Sequence, residues 1–284
     1  IAVVTTIDEE HMGFYQTLEN IKNTFFKFIN KIPFYGSAIL CLDDPNIQSI
    51  IPSVGKRYIT YGLSSQADYT ARYISIEGLK TYFNVFCRGK DLGRIRSGAL
   101  GRHNVLNTLA AVAVGMELDI DFKIIANSLL KFEGVQRRFE IVKESDDFTL
   151  IDDYGHHPAE IKACLKTAKE VWPTRRLIVI FQPHRYSRTK ALMKDFWSAF
   201  NDADHLFVMD IYSAGENPID KVHASSIVEG VRKCGHKNTK YIENNNDLNK
   251  YLLTLTKHGD VLMTLGAGDV WKLGRNFLGV KFSK

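Results

Sequence analysis

From residue 139 onward, short apolar runs alternate with amphipathic runs, and this alternation constrains the fold more than any other feature of the chain. The apolar runs have the length and composition of strands, and they fall at 139–143, 148–151, 177–181, 206–209 and 261–265. Apolar residues at helical spacing predict helices at 158–171, 190–201, 224–233 and 246–256, with a final helix after residue 269. Such alternation is typical of an α/β domain with a mostly parallel sheet and helices on both faces.

The first half of the chain also mixes strands and helices, but in a different order. The pattern predicts strands at 1–5, 37–42 and 57–61, a polar loop at 6–15, a helix that Pro33 ends, and a short helix at 45–50. Short strands with glycine-containing turns over 69–100 predict a small antiparallel sheet, and helices are expected at 101–115 and 121–132. The pattern changes character near Val135, so we expect two domains, 1–134 and 135–284.

The composition argues against several classes of protein. A net charge of +5 over 284 residues suits an anionic substrate, whereas a nucleic-acid binder usually concentrates its lysine and arginine on one element. The four cysteines form no CxxC pair, so we expect no disulfide framework or zinc site and a reducing, cytoplasmic location. No apolar segment approaches the roughly 18–20 residues needed to cross a bilayer, so no membrane insertion is expected. The abrupt first strand at Ile1 suggests that a further segment precedes it.

Four polar turns follow the predicted strands of the second half, at 152–157, 182–188, 210–216 and 266–269. All four belong to the edge of the sheet at which open α/β sheets bind ligands. The first turn concentrates two carboxylates, a phenol and two imidazoles, and Pro158 then takes the first helical position, where its missing N–H costs nothing. The sequence therefore predicts a ligand site at this edge, although an acidic turn with polar caps also explains the first turn.

Arg185 and Arg188 follow the strongest apolar run and are candidates for binding an anion. Guanidinium groups bind phosphate or carboxylate through paired hydrogen bonds, so two of them at a strand end suit a phosphorylated or carboxylated substrate. A solvated loop with two surface arginines is the alternative. The glycine turn at 266–269 could accept an anion at a helix N-terminus, but its spacing does not match a dinucleotide-binding fingerprint.

Candidate nucleotide and metal ligands are spread along the chain. Asn104 and Asn107 lie on one face near a helix start, and asparagine can pair with the edge of adenine, although an N-cap with an exposed amide explains the same spacing. His11 could bind a divalent ion and Arg138 could bind phosphate, with exposed surface residues as the alternatives. These residues contain no GxxxxGK[ST] motif, so the chain has no Walker-type phosphate loop of its own.

Six segments together resemble the Mur ligase family of bacterial cell-wall enzymes. They read IPFYG at 32–36, GRHNVLN at 101–107, VQRRFE at 135–140, DDYGHHP at 152–158, FQPHRYSRT at 181–189 and GAGD at 266–269. The segments at 152–158 and 181–189 are specific, and they favour the ligases that add L-alanine to UDP-N-acetylmuramate over those that add a murein tripeptide. The resemblance implies part of a central ATPase domain followed by a Rossmann-like C-terminal domain. It also implies that the UDP-binding domain and the phosphate loop belong to a missing N-terminal part of the same enzyme.

The resemblance implies roles for individual residues. Those implied to bind ATP are His103, Asn104, Asn107, Arg138 and Asp153, and the one implied to bind Mg²⁺ is His11. Those implied to contact UDP-N-acetylmuramate and L-alanine are Tyr154, His156, Arg185 and Arg188, of which the last three are also the catalytic candidates. Thr6 and Glu10 stand where the family has asparagine and aspartate, which leaves the detail of the metal site open.

The reaction implied by the resemblance is ATP-driven amide formation in peptidoglycan precursor synthesis. The lactyl carboxylate of UDP-N-acetylmuramate attacks the γ-phosphate, and the amine of L-alanine then attacks the acyl phosphate. Arg185, Arg188 and His156 are candidates for stabilising the oxyanion. Because the phosphate loop is absent, residues 1–284 alone are expected to be inactive. A nucleotide-binding or acidic-ligand-binding module without catalysis is the main alternative, and a relative of folylpolyglutamate synthase is disfavoured by residues 154–157.

Overall fold

The computed structural model describes residues 1–9, 12–132, 134–243 and 245–282. The chain divides into two compact units, 1–133 and 134–284. Each unit is built around its own six-stranded sheet. None of the helices in the described ranges is both long enough and apolar enough to cross a membrane.

The sheet of the first unit has its strands in sequence order. They are β1 (Ala2–Val4), β2 (Ala38–Cys41), β3 (Tyr58–Gly62), β4 (Tyr69–Glu77), β5 (Lys80–Cys87) and β6 (Lys90–Ser97). Strands β1 to β4 pair in parallel, whereas β4, β5 and β6 pair in the antiparallel sense. The helices are α1 (Met12–Tyr15), α2 (Leu18–Asn30), α3 (Pro45–Ile50), α4 (Arg102–Glu117) and α5 (Phe122–Lys131), and a 3₁₀ turn covers Ile51–Ser53.

Side-chain caps begin three of these helices. Thr17, Asp44 and Asp121 each accept a hydrogen bond from a backbone N–H in the first turn of α2, α3 and α5 respectively. Such a cap satisfies an N–H group that has no partner inside the helix. The apolar faces then close on the sheet, where Ile29 of α2 and Leu109 of α4 are fully buried.

The sheet of the second unit has the strand order β11-β10-β9-β12-β8-β7. Its strands are β7 (Glu140–Lys143), β8 (Phe148–Asp153), β9 (Leu177–Phe181), β10 (His205–Met209), β11 (Thr239–Ile242) and β12 (Asp260–Leu265). Among the strand pairings that the described residues form in this sheet, only that of β7 with β8 is antiparallel. The helices are α6 (Pro158–Val171), α7 (Tyr186–Ala191), α8 (Met193–Phe196), α9 (Ala224–Lys233), α10 (Asn245–Leu255) and α11 (Trp271–Phe282).

The position of β12 between β8 and β9 creates a switch point in the strand order of this sheet. The chain leaves β8, crosses to β9, runs outward through β10 and β11, and returns to place β12 in the gap. The carboxyl ends of β8, β12 and β9 are therefore neighbours at the point where the strand order reverses. Open α/β sheets bind ligands at such a switch point. The α/β class predicted from the sequence is confirmed.

Several elements differ from the sequence-based prediction. The helix predicted at 190–201 is two short helices, α7 and α8, because the backbone at Leu192 (φ −103°, ψ 14°) leaves the helical region between them. Strand β11 was not predicted, since its four residues follow a polar segment and form only one edge of the sheet. Asp152 and Asp153, predicted in the turn, instead extend β8, because they pair in register with Thr264 and Leu265 of β12.

Candidate active site

The turn between β8 and α6 is held by its own hydrogen bonds. His157 is the N-cap of α6, and Pro158 lies in the first helical turn, which confirms the position predicted for Pro158. The Glu160 carboxylate accepts from the backbone N–H of His156 at 3.0 Å and of His157 at 3.2 Å. Burial alone would raise the pKa of Glu160, but these donors, with His156 and Arg138 nearby, lower it. An ionised Glu160 therefore completes a capping box at neutral pH.

The two carboxylates at the end of β8 are buried, with relative exposures of 2% for Asp152 and 4% for Asp153. Asp152 accepts a hydrogen bond from the Thr264 hydroxyl at 2.6 Å. Asp153 accepts from the backbone N–H groups of Phe139 and Gly155, both at 2.6 Å. Burial raises the pKa of Asp153, and these donors offset only part of the rise. In this conformation Asp153 fixes the backbone on either side of it, so its contact with a nucleotide stays a prediction.

Arg137 has no role in the sequence-based prediction, yet it joins three segments at this edge. Its Nε donates to Asp152 Oδ2 at 3.0 Å, and its Nη2 donates to the carbonyl of Gly266 at 2.6 Å. Its Cζ lies 5.0 Å from the centroid of the Tyr154 ring, and the Cζ of Arg138 lies 5.3 Å from the same centroid. Both guanidinium groups therefore contact one aromatic ring, at distances that give a favourable cation–π interaction.

The glycine turn at 266–269 is held by the side-chain amide of Gln182. Its Oε1 accepts from the backbone N–H of Asp269 at 3.0 Å and of Val270 at 3.2 Å. A Cβ atom at Gly268 would lie 2.4 Å from that oxygen and 2.8 Å from Cγ of Tyr212, so only glycine permits this close approach. The sequence suggested that the backbone N–H groups of this turn could bind an anion. Two of them already donate to Gln182, so fewer N–H groups are available to an anion.

Arg185 and Arg188 lie together at the start of α7. Arg185 is the N-cap and has a left-handed backbone (φ 68°), and its N–H donates to the carbonyl of Tyr212 at 2.8 Å. Half of its side chain is exposed, and its Nη1 lies 3.9 Å from Oε1 of Glu216. The Nη1 of Arg188 lies 3.2 Å from Nδ1 of His184. The structure therefore brings both predicted arginines to the same edge as His184.

Four rings form a row across the carboxyl ends of the strands, and we call Tyr212, His184, His156 and Tyr154 the ring row. The Tyr212 and His184 rings are stacked with centroids 5.7 Å apart. The centroids of His184 and His156 are 5.8 Å apart, and those of His156 and Tyr154 are 5.6 Å apart, edge to face. The row thus links the turns after β10, β9 and β8, with guanidinium groups beside it. Such an arrangement suits an anionic substrate that also has apolar groups.

The imidazole of His184 is neutral at physiological pH. Its burial is the largest cause, and the neighbouring His156, Arg188 and Arg185 add to it, so the pKa falls from 6.5 to about 4. Because the guanidinium of Arg188 can only donate, Nδ1 of His184 accepts and the proton of the neutral ring is on Nε2.

We predict that His184 titrates near pH 4 in a nuclear magnetic resonance experiment and that Arg188→Met moves the midpoint upward. Since the pKa of His184 is lower in the folded state than in the unfolded chain, its contribution to stability is complete above pH 6.5 and is lost as the pH falls towards 4. Lys237→Ala, which removes a charge before the amino end of β11, should leave the midpoint unchanged. A wild-type midpoint near 6.5 would contradict the prediction.

The predicted adenine contacts lie at the start of α4 in the first unit. Asn104 donates through Nδ2 to the carbonyl of Leu100 at 2.8 Å, and its Oδ1 accepts from Asn107 at 3.2 Å. The same Nδ2 lies 3.1 Å from Nε2 of His103. Asn107 is exposed, and its amide oxygen accepts no hydrogen bond from the described residues, so Asn107 is the better placed of the two amides to pair with a base.

The predicted magnesium ligand His11 lies outside the described residues, as does Glu10. Within the described ranges, no group of three or more His, Cys, Asp or Glu residues could hold a metal ion. Thr6, which replaces the expected asparagine, donates its hydroxyl to Asp44 Oδ2 at 2.9 Å. The described residues therefore do not by themselves make a metal site.

Two family models match the chain. The model described as the Mur ligase middle domain matches residues 1–115, and the model described as the Mur ligase, glutamate ligase domain matches residues 137–268. The first match covers the first sheet and most of α4, and the second covers the ring row and both arginines. The turns after β8, β9 and β10 therefore lie inside a family match.

Similar proteins include ligases of known name. The chain is 52% identical over 274 residues to UDP-N-acetylmuramate–L-alanine ligase of Syntrophotalea carbinolica, covering 96% of this chain and 60% of that protein. It is 50% identical to the ligase of the same name from Geobacter sulfurreducens, covering 98% and 60% respectively. The crystal structure of UDP-N-acetylmuramate–alanine ligase from Thermotoga maritima superposes with a TM-score of 0.80 at 27% identity, covering 99% of this chain and 59% of that one. The chain thus spans about 60% of the length of the curated relatives it matches.

Proposed function

The chain belongs to the Mur ligase family, and from this premise we propose that the protein joins L-alanine to UDP-N-acetylmuramate in an ATP-driven reaction of peptidoglycan precursor synthesis. The observation that supports this most is the edge of the second sheet, where Arg185, Arg188 and the ring row lie together. The proposed activity is that of the whole protein, and its proposed location is the cytoplasm.

The proposed roles at this edge follow from charge and hydrogen-bonding capacity. Arg185 and Arg188 bind the carboxylate of the amino acid and stabilise the oxyanion that forms when its amine attacks the activated carboxyl group. His156 lies 9% exposed in the ring row, with its Nδ1 3.1 Å from the carbonyl of Tyr154. Since a carbonyl only accepts, Nδ1 carries a proton, and Nε2 is the nitrogen that exchanges a proton or contacts the substrate. Tyr154 supplies the wall of the site beside it.

ATP would supply the phosphoryl group that activates the lactyl carboxylate. On the first unit, the exposed amide of Asn107 fits the edge of an adenine, with Asn104 and His103 holding it in place. On the second unit, the Arg138 side chain is about half exposed and lies 3.3 Å from Glu160, so it can reach an anion from the surface. We propose Mg²⁺ as the accompanying ion, on the basis of the resemblance to the family.

The ligation reaction provides a direct test. We expect the full-length protein to release phosphate only when UDP-N-acetylmuramate, L-alanine, ATP and Mg²⁺ are all present. We expect residues 1–284 alone to release none, because these residues contain no phosphate loop. The full-length relative from Syntrophotalea carbinolica is the positive control, measured under the same conditions.

Three outcomes would contradict the proposal in different ways. Ligation of glutamate to a folate by the full-length protein would show a different amide ligase. Turnover by residues 1–284 at the rate of the full-length relative would show that the phosphate loop is dispensable. Tight ATP binding by calorimetry, without any ligation by the full-length protein, would instead indicate a binding module.

A further inference from the structure

Glu216 lies at the end of the turn after β10 and contacts the start of α7. Its Oε2 accepts from the backbone N–H of Ser187 at 3.0 Å, and its Oε1 accepts from the Ser187 hydroxyl at 2.6 Å. Arg185, the N-cap residue of α7, makes no side-chain capping hydrogen bond of its own. Glu216 therefore provides from another turn the acceptor that the N-terminus of this helix needs.

The backbone around Arg185 depends on the same turn. Its φ of 68° is in the left-handed region, which disfavours residues with a side chain. The N–H of Arg185 donates to the carbonyl of Tyr212, and the N–H of Tyr212 donates to the carbonyl of Pro183, both at 2.8 Å. The turn after β10 thus holds the turn after β9 through the backbone at Tyr212 and through the carboxylate of Glu216.

Ser187 lies between Arg185 and Arg188 in the sequence. The hydrogen bonds that hold Ser187 therefore affect the positions of both arginines. Burial alone would raise the pKa of Glu216, but the Ser187 donors and the charge of Arg185 lower it, so the carboxylate is ionised at neutral pH. Both of its oxygens already accept hydrogen bonds from α7. The geometry therefore gives Glu216 a supporting position rather than a direct contact with an amino group of a substrate.

We propose that Glu216 is a positioning residue that holds the 185–188 turn, so that Arg185 and Arg188 both reach the carboxylate of the incoming amino acid. The inference rests on the function proposed above for the identity of that substrate. A residue that only supports the fold would affect every substrate alike. A residue that positions this turn affects the amino acid first and leaves the binding of ATP unchanged.

The test is Glu216→Ala in the full-length protein, with Glu216→Gln as the conservative variant. Loss of hydrogen bonds to a charged acceptor is expected to raise KM for L-alanine by about 10- to 100-fold, while KM for ATP changes by less than about twofold. Glutamine retains one acceptor for Ser187, so Glu216→Gln should recover much of the affinity. Asp220→Asn removes an exposed carboxylate from the same connection between β10 and α9 and should leave KM for L-alanine unchanged.

A second measurement is independent of turnover. The side-chain Nε–H resonances of Arg185 and Arg188 are expected to broaden or shift in Glu216→Ala and to stay in place in Asp220→Asn. The proposal is overturned if these resonances and KM for L-alanine are both unchanged in Glu216→Ala, or if KM for ATP rises as much as KM for L-alanine. If the wild-type protein does not ligate L-alanine, the proposed function fails, whereas the arginine resonances still decide whether Glu216 positions the turn.

Discussion

Replacement of Arg188 by alanine is expected to lower kcat/KM of the full-length protein for L-alanine ligation by about 10²–10³-fold, the effect of removing one preorganised donor from an oxyanion. The guanidinium is at the carboxyl edge of the sheet, with Nη1 3.2 Å from Nδ1 of His184. His184 is in turn stacked on Tyr212, which limits the directions that the guanidinium can take. Phosphate release measured at varied L-alanine concentration would give the effect on kcat and on KM separately.

One further variant separates the charge of Arg188 from its shape, and a second variant serves as the control. Lysine keeps the charge but lacks the planar fork that binds a carboxylate through two hydrogen bonds, so Arg188→Lys should recover only part of the activity. Lys237→Ala removes an exposed charge before the amino end of β11 and should leave kcat/KM unchanged. Activity of Arg188→Ala within a few-fold of wild type would show that this arginine does not contact the reacting groups.

The periodic parts of the second unit could be predicted from the sequence, whereas its pairings could not. Runs such as 177–181 and 261–265 are apolar throughout because the corresponding strands, β9 and β12, are buried on both faces of a parallel sheet. The end of β8 was misjudged because carboxylates normally indicate a turn. Asp152 and Asp153 remain in the strand because Thr264, Arg137 and two backbone N–H groups satisfy them. The N–H of Gly155 is close in the sequence, but Phe139, Arg137 and Thr264 are 14 to 112 residues away from the carboxylates that they satisfy.

In the candidate site, too, some residues could be predicted from the sequence and others could not. Arg185 and Arg188 could be selected because residue type and position at a strand end point to binding, whereas the role of His156 came from the family resemblance. The supporting residues could not, since their partners come from distant parts of the chain: Arg137 and Gly266 are 129 residues apart, and Ser187 and Glu216 are 29 apart. Their proximity results from the placement of β12 between β8 and β9 and of β10 beside β9, which periodicity alone does not determine.

Replacement of Arg137 by methionine is expected to lower the free energy of unfolding of the second unit by about 3 kcal/mol, the usual cost of leaving one partner of a buried ion pair uncompensated. The side chain of Asp152 is 3% exposed, and that of Arg137 is 23% exposed. Without the guanidinium, Asp152 keeps the Thr264 hydroxyl, and the carbonyl of Gly266 loses its donor. Urea unfolding followed by tryptophan fluorescence reports on this unit, because Trp172, Trp197 and Trp271 all belong to it.

A double-mutant cycle tests whether the ion pair causes the loss. Asp152→Asn removes the charge that Arg137→Met leaves unpaired. The double variant should therefore lose about 1–3 kcal/mol less free energy of unfolding than the two single variants lose in total. Arg275→Met is the matched control. Arg275 also forms an ion pair, at 3.1 Å from Glu140, but its side chain is about half exposed. This substitution should therefore lower the free energy of unfolding by less than about 1 kcal/mol. Additive effects of the two changes would mean that Arg137 stabilises the edge through its contacts with Gly266 and Tyr154 instead. In that case the glycine turn and the ring row, rather than the buried charge, would account for the presence of an arginine at this position.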